Sequence, residues 1–193
     1  AIRILEKILE ERENIIMKEI DVLKTLQAEF ETYQVPCILR RPEEDAKVQI
    51  PILTTLHRPM GKSLEEVMGE YYFFPVSVEE SEGYYFTLML TISEELTAET
   101  YTIFSAASGI LNFYLPFGAF VLNRKTKVLA FKHTVVIPAA YETEKAYELV
   151  DKVVGGALDI VEHYIDILGD MEKGKATFED FMEIFSEPDL EGE

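Results

Sequence analysis

Cys37 is the single thiol of the chain, and thiol catalysis needs a base to activate the sulfur and a third group to orient that base. The candidate bases are His57, His133 and His163, and none stands in a local signature with Cys37. Cys37 therefore reads as a spectator thiol. His133 lies in an alternating apolar stretch and reads as a hydrogen-bonded core histidine. His163 shares a helix face with Asp159 at the i, i+4 spacing, next to Glu162. A zinc site of the HExxH kind needs a second histidine where Asp159 stands, so this group reads as a solvated helix face. The stretch DMEKGKATFEDF invites comparison with a calcium loop. Placing Gly174 at the loop's sixth position puts Gly169, Met171 and Lys173 where oxygen ligands belong, and the match fails. The phosphate loops GxGxxG and GxxxxGK followed by Ser or Thr are absent, and in so acidic a chain no pair of carboxylates stands out as an acid/base couple. No catalytic residue, metal ligand or cofactor is assigned, and the chain is expected not to be an enzyme.

The apolar periodicity says which elements would have to position any site. Leu9, Ile16, Leu23 and Phe30 recur every seven residues, with Ile8, Ile15 and Val22 alongside, which predicts a long amphipathic helix over 2–33 ended by Val35-Pro36. VQIPILTTL reads as a strand with Pro51 marking an edge, and SLEEVMGE, capped by Ser63, as one helical turn. YYFFPVSV (71–78) and YYFTLMLTI (84–92) form a hairpin, with Pro75 placing the first strand at an edge or bulge. Tyr84, Phe86, Leu88, Leu90 and Ile92 share one face, and Tyr85, Thr87, Met89 and Thr91 the other. A second helix, capped by Ser93, is predicted over 94–113, followed by a second hairpin of 117–123 and 127–137. A third helix is predicted over 142–172, in which Gly155-Gly156 either kinks the chain or admits a close neighbour. The reading is an α+β fold in which an antiparallel sheet is combined with a long N-terminal, a middle and a long C-terminal helix, in the order α-β-β-β-α-β-β-α. Residues 1–174 make one domain, with 36–69 a candidate insertion, and 175–193 a short helix with an acidic tail.

Composition narrows the partners. A chain of 193 residues with 48% hydrophobic residues buries a substantial core, and a net charge of −18 makes nucleic acid and anionic membrane poor partners. One cysteine forms no internal disulfide, and no stretch reaches the roughly 20 apolar residues of a membrane span, so the expected setting is cytoplasmic.

The middle helix ending in ILNFYLPFGAFVLN, the return through KVLAFKHTVVIP and the final ALDIVEHYIDIL together resemble the YbjN-like family and the wider type III secretion chaperone-like fold. In that family an asparagine near the end of the middle helix, here Asn112, precedes a strand pair, and the last helix carries aromatics such as Tyr164. The resemblance covers about 75 residues well, from Thr97 to Met171, whereas 36–69 and the tail after Gly174 depart from the family pattern. It implies a small, acidic, often dimeric protein that binds other polypeptides and performs no reaction. The leading expectation is a non-catalytic protein-binding module, a chaperone or regulatory adaptor holding a polypeptide client. Tyr71, Phe73 and Tyr85 are the expected partner-binding residues, since tyrosine-rich edge strands accept an extended peptide by strand addition. Tyr101, Phe104, Ala107 and Tyr114 are the expected homodimer contacts, around the small-residue run 106–109. The alternative is a regulatory domain that senses a small apolar ligand between sheet and helices, in a pocket lined by Phe86, Phe120 and Phe131.

Overall fold

Side chains at alternate positions, such as Phe86, Leu88 and Leu90, can be buried together only on an extended backbone, because successive residues of a strand point to opposite sides. The computed structural model of the chain describes residues 19–45, 47–62, 65–74 and 83–185, where that stretch is one of six antiparallel strands. Residues 19–32 are helical (α1), followed by β1 (Cys37–Arg40), β2 (Ile52–Met60), β3 (Glu65–Phe74) and β4 (Gly83–Ser93). Helix α2 (Ala98–Tyr114), β5 (Ala119–Asn123), β6 (Val128–Pro138), α3 (Thr143–Glu172) and the short α4 (Phe178–Glu183) complete the order. The sheet runs β1-β2-β3-β4-β6-β5. The α+β reading holds, with one strand more ahead of the middle helix than expected. Residues 36–69 supply β1, β2 and the start of β3 to this same sheet.

One face of the sheet carries the core. Val22, Leu23, Leu26 and Phe30 of α1 and Val150, Val154, Val161 and Ile165 of α3 are buried with Leu53, Tyr71, Phe86, Leu88, Leu90 and Phe131 of the strands. Each large apolar side chain so removed from water contributes roughly 2 kcal/mol before entropy is counted. The predicted Gly155-Gly156 effect resolves as a close neighbour: α3 runs unbroken, and a Cβ on Gly156 would stand 2.9 Å from the Phe117 ring.

Three local expectations need correction. The SLEEVMGE stretch is not a helical turn, since Glu65–Glu70 opens β3. Val67 and Gly69 are buried there, and pairing with β2 on one side and β4 on the other overrides the helical preference of its Glu and Met residues. Pro51 precedes β2 rather than marking an edge, because β2 lies between β1 and β3. Helix α2 starts later than expected: the Ser93 hydroxyl is used by Glu172, and the Thr97 hydroxyl accepts the Thr100 N–H at 3.1 Å as the cap instead. The expected helix before residue 19, the Ser63 cap, Pro75 with its turn, and the acidic tail after 185 lie outside the described residues.

Candidate partner-binding face

Register fixes what stands on the other side of the sheet. Cross-strand pairing lines up Leu56, Met68, Thr91, Ala130 and Val121 as one row. Ile38, Thr54, Glu70, Met89, Lys132 and Ala119 form the next. Arg40, Ile52, Tyr72, Thr87 and Thr134 form a third, and Phe74, Tyr85 and Val136 a fourth. Helices α1 and α3 pack on the opposite face, which leaves Ile38, Phe74 and Val136 at 58, 50 and 51% exposure. Small residues at the middle of the face, Thr87, Thr91 and Ala130, are nonetheless buried, because the longer side chains of neighbouring rows rise around them. The result is a trough of about 660 Å³ with Met68, Met89, Thr91, Val121 and Ala130 among its lining. Elsewhere on this face several polar groups are paired, although Arg40 Nε is buried without a partner among the described residues. Arg40 donates to Thr54 Oγ1 at 3.0 Å and lies 3.8 Å from Glu70, Arg58 donates to Glu66 at 2.7 Å, and the Thr87 and Thr134 hydroxyls are 2.9 Å apart. Arg40, Arg58 and Lys132 offset Glu66 and Glu70, so this face stays close to neutral on a chain of net charge −18.

Chemistry-bearing residues gather on the covered face instead. His57 Nε2 lies 2.8 Å from both the Thr55 and the Tyr71 hydroxyls, with the Phe30 ring edge-on to the imidazole at 5.4 Å. Burial holds His57 down to about 4 and pushes the Tyr71 phenol well above its ordinary range, so both stay neutral near pH 7. Gly69 makes room for the cluster: a Cβ there would meet Thr55 Oγ1 at 2.5 Å and Tyr71 Oη at 2.6 Å. Neutral groups packed this tightly hold the strands in register and leave no space for a reacting molecule. Cys37 is half-buried and donates weakly to the Gln27 carbonyl at 3.8 Å, with burial and Glu31 both raising its thiol. That is the opposite of an activated nucleophile. Among the described residues no group of three or more His, Cys, Asp or Glu is placed to hold a metal ion, and no helix is long and apolar enough to cross a membrane.

No protein-family model, curated protein or solved structure matches this chain. Its residues must therefore carry the functional reading alone.

Of the residues expected to bind a partner, only Tyr85 reaches the open face. Tyr71 and Phe73 share the other strand parity and are 0 and 6% exposed, so neither offers surface to a peptide. Neither lies on an edge strand, since β3 is paired on both sides. Tyr72 and Phe74, one position along, are the aromatic residues of β3 that face outward, and Ile38 and Val136 stand on the same face. Among the expected dimer contacts, Phe104 and Ala107 are buried under the fold's own elements and cannot be shared with a second copy. Tyr101 is half-buried beneath Lys127, whose ammonium lies 4.5 Å from the ring centre. Tyr114 is 56% exposed and stacks on Phe185 at 4.9 Å, beside Phe113 at 82% exposure. Phe86, Phe120 and Phe131 do not line a ligand pocket: Phe73 packs on Phe86, and Phe120 on Phe131, each at 5.4 Å, so these rings fill the space between sheet and helices themselves.

Proposed function

We propose that the chain is a non-catalytic protein-binding module whose open sheet face holds an apolar, extended segment of a client polypeptide. The observation that carries this reading is that Ile38, Phe74 and Val136, all at least half exposed, stand with Tyr72 and Tyr85 on the same open sheet face as the trough that Met68 and Met89 line. The open face of an antiparallel sheet is normally polar, and apolar surface left open on a folded domain marks a place of interaction. The flexible thioethers of Met68 and Met89 suit a surface that accepts more than one side chain. The acidic remainder of the surface keeps a complex with an aggregation-prone client in solution. A cytoplasmic setting agrees with the single unpaired Cys37.

The same reading includes a homodimer through α2. This helix carries one charged residue, Glu99, and its outward positions Thr102, Ser105, Ala106 and Gly109 lead to exposed Phe113.

Binding of a permanently unfolded polypeptide, reduced and carboxymethylated lactalbumin, tests the client face. Wild type is expected to retard it in a sizing experiment and to slow its aggregation, and Phe74→Glu combined with Val136→Asp to lose both effects while the thermal midpoint stays near wild type. Retention of binding by the doubly substituted protein, still folded, overturns the assignment.

A further inference from the structure

Away from the open face, the first described turn of α1, the loop between β1 and β2 and the end of β3 enclose a cavity of about 240 Å³. Leu23, Ile50, Pro51 and Phe73 give it apolar walls, and two carboxylates, Glu19 and Glu43, line it. Glu19 is the unusual one. On another side Val22, Phe73, Tyr84, Ile137 and Ala146 line with it a gap of only about 10 Å³, whereas the cavity offers it free space. Among the described residues no basic side chain and no hydrogen-bond donor sits on its carboxylate, and the neighbouring ionisable groups, Tyr84 on β4 and Glu43 on the loop, add no positive charge. Burial without compensation pushes its pKa up to about 7. A carboxylate desolvated and left without a counter-ion destabilises the fold, and such groups concentrate where a ligand supplies what is missing.

We propose that this cavity binds a small organic cation, an ammonium group carried on an apolar body, with Glu19 as its counter-ion. The ammonium lies against the carboxylate, and the hydrocarbon part takes the walls of Leu23, Ile50 and Phe73, whose ring face also favours positive charge. The size sets a limit: 240 Å³ is the volume of about eight liquid waters, which admits an arylalkylamine or the end of an alkylamine and excludes a nucleotide. Anions are rejected by both carboxylates. A bare divalent metal is not served, since two carboxylates in an apolar cleft supply too few of the six or more oxygen ligands it takes. This site is independent of the client face, because the two lie on opposite sides of the sheet.

Calorimetry with benzylamine and with benzyl alcohol, its uncharged counterpart, tests the proposal on the full chain near pH 7 in two buffers of different ionisation enthalpy. Benzylamine is expected to bind saturably and at least about tenfold more tightly than the alcohol. Its binding should release part of a proton, because the cation favours the ionised form of Glu19. Glu19→Gln, which removes a charge that no described residue compensates and so should fold at least as well as wild type, is expected to abolish both the preference and the proton release. Glu29→Gln, on the same helix but outside the cavity lining, should leave both unchanged. Absence of saturable benzylamine binding, equal binding of the alcohol, or a preference that survives in Glu19→Gln overturns the assignment.

Discussion

The side-chain amide of Asn112, on α2, pairs with the backbone of Phe120, on β5, as a neighbouring strand would. Its Nδ2 donates to the Phe120 carbonyl at 3.0 Å, and the Phe120 N–H donates to its Oδ1 at 2.7 Å. Strand β5 is the last of the sheet, and one residue of α2 thus occupies the outward hydrogen-bonding groups at its second residue. An edge blocked in this way cannot template another strand at that position, so client capture is left to the face of the sheet rather than to this edge.

Replacement of Asn112 by Ala leaves one backbone donor and one acceptor half-buried without partners. The expected cost is about 1–3 kcal/mol, read from urea unfolding midpoints. Hydrogen exchange at the Phe120 amide should accelerate by more than at Val121. An unchanged midpoint together with an unchanged Phe120 exchange rate would show that the amide pair contributes nothing.

Gly69 makes room for two hydroxyls, and Gly69→Ala should destabilise by about 1–3 kcal/mol, because the added methyl overlaps Thr55 Oγ1 and the Tyr71 ring and hydroxyl. Tyr71→Phe removes one of the clashing atoms. Gly69→Ala combined with Tyr71→Phe is therefore expected to cost less than the sum of the single changes, and strict additivity would contradict the contact.

Local alternation made much of this fold legible. The two faces of β4 and β6 follow from residue parity alone, and the burial of Phe86, Leu88, Leu90 and Phe131 agrees with it. What parity does not say is which face the helices cover, and β4 gives no hint, since Tyr85, Thr87, Met89 and Thr91 on its second face are as uncharged as the first. On β3 the run Tyr71-Tyr72-Phe73-Phe74 is aromatic at every position, so its pattern does not say which parity is outward: Tyr71 and Phe73 turn to the core and Phe74 to the surface. The start of α2 was hidden for a different reason: Ser93 is a good cap locally, and only the distant Glu172 takes its hydroxyl. Glu19 is visible in the sequence only as a charge that, like Arg12, interrupts the positions flanking the apolar stripe of the first helix. A carboxylate on an amphipathic helix reads as solvated until the walls supplied by β3 and the β1–β2 loop are known.

Phe113 is the most exposed large apolar side chain described, and it stands at the end of the small outer stripe of α2. If α2 pairs with its copy, Phe113→Glu places a charge in the contact. Light scattering is expected to give a dimer for wild type and a monomer for Phe113→Glu, with the unfolding midpoint extrapolated to low concentration unchanged. A wild type monomeric at every accessible concentration would remove the dimer from the proposed function.

Acid titration separates two buried groups that act in opposite directions. His57 has its folded pKa lowered from 6.5 to about 4, so as pH falls below 6.5 the unfolded chain takes up a proton that the native state refuses. Stability from this residue is complete above 6.5 and lost on the way down to about 4, a change of about 3 kcal/mol for a shift of this size. Glu19 is raised from 4.5 to about 7, so between those values the native state holds a proton the unfolded chain has released, and acid relieves its burial cost. Over pH 6.5 to 4.5 the two slopes oppose each other, and wild-type stability should change little on their account. Glu19→Gln leaves His57 unopposed. Urea unfolding at half-unit steps is expected to show Glu19→Gln more stable than wild type at pH 8, with the advantage shrinking steadily as the pH approaches 4.5. A stability difference between the two proteins that does not vary with pH would mean that Glu19 is solvated in the folded chain and that its cavity lacks the character the ligand proposal needs.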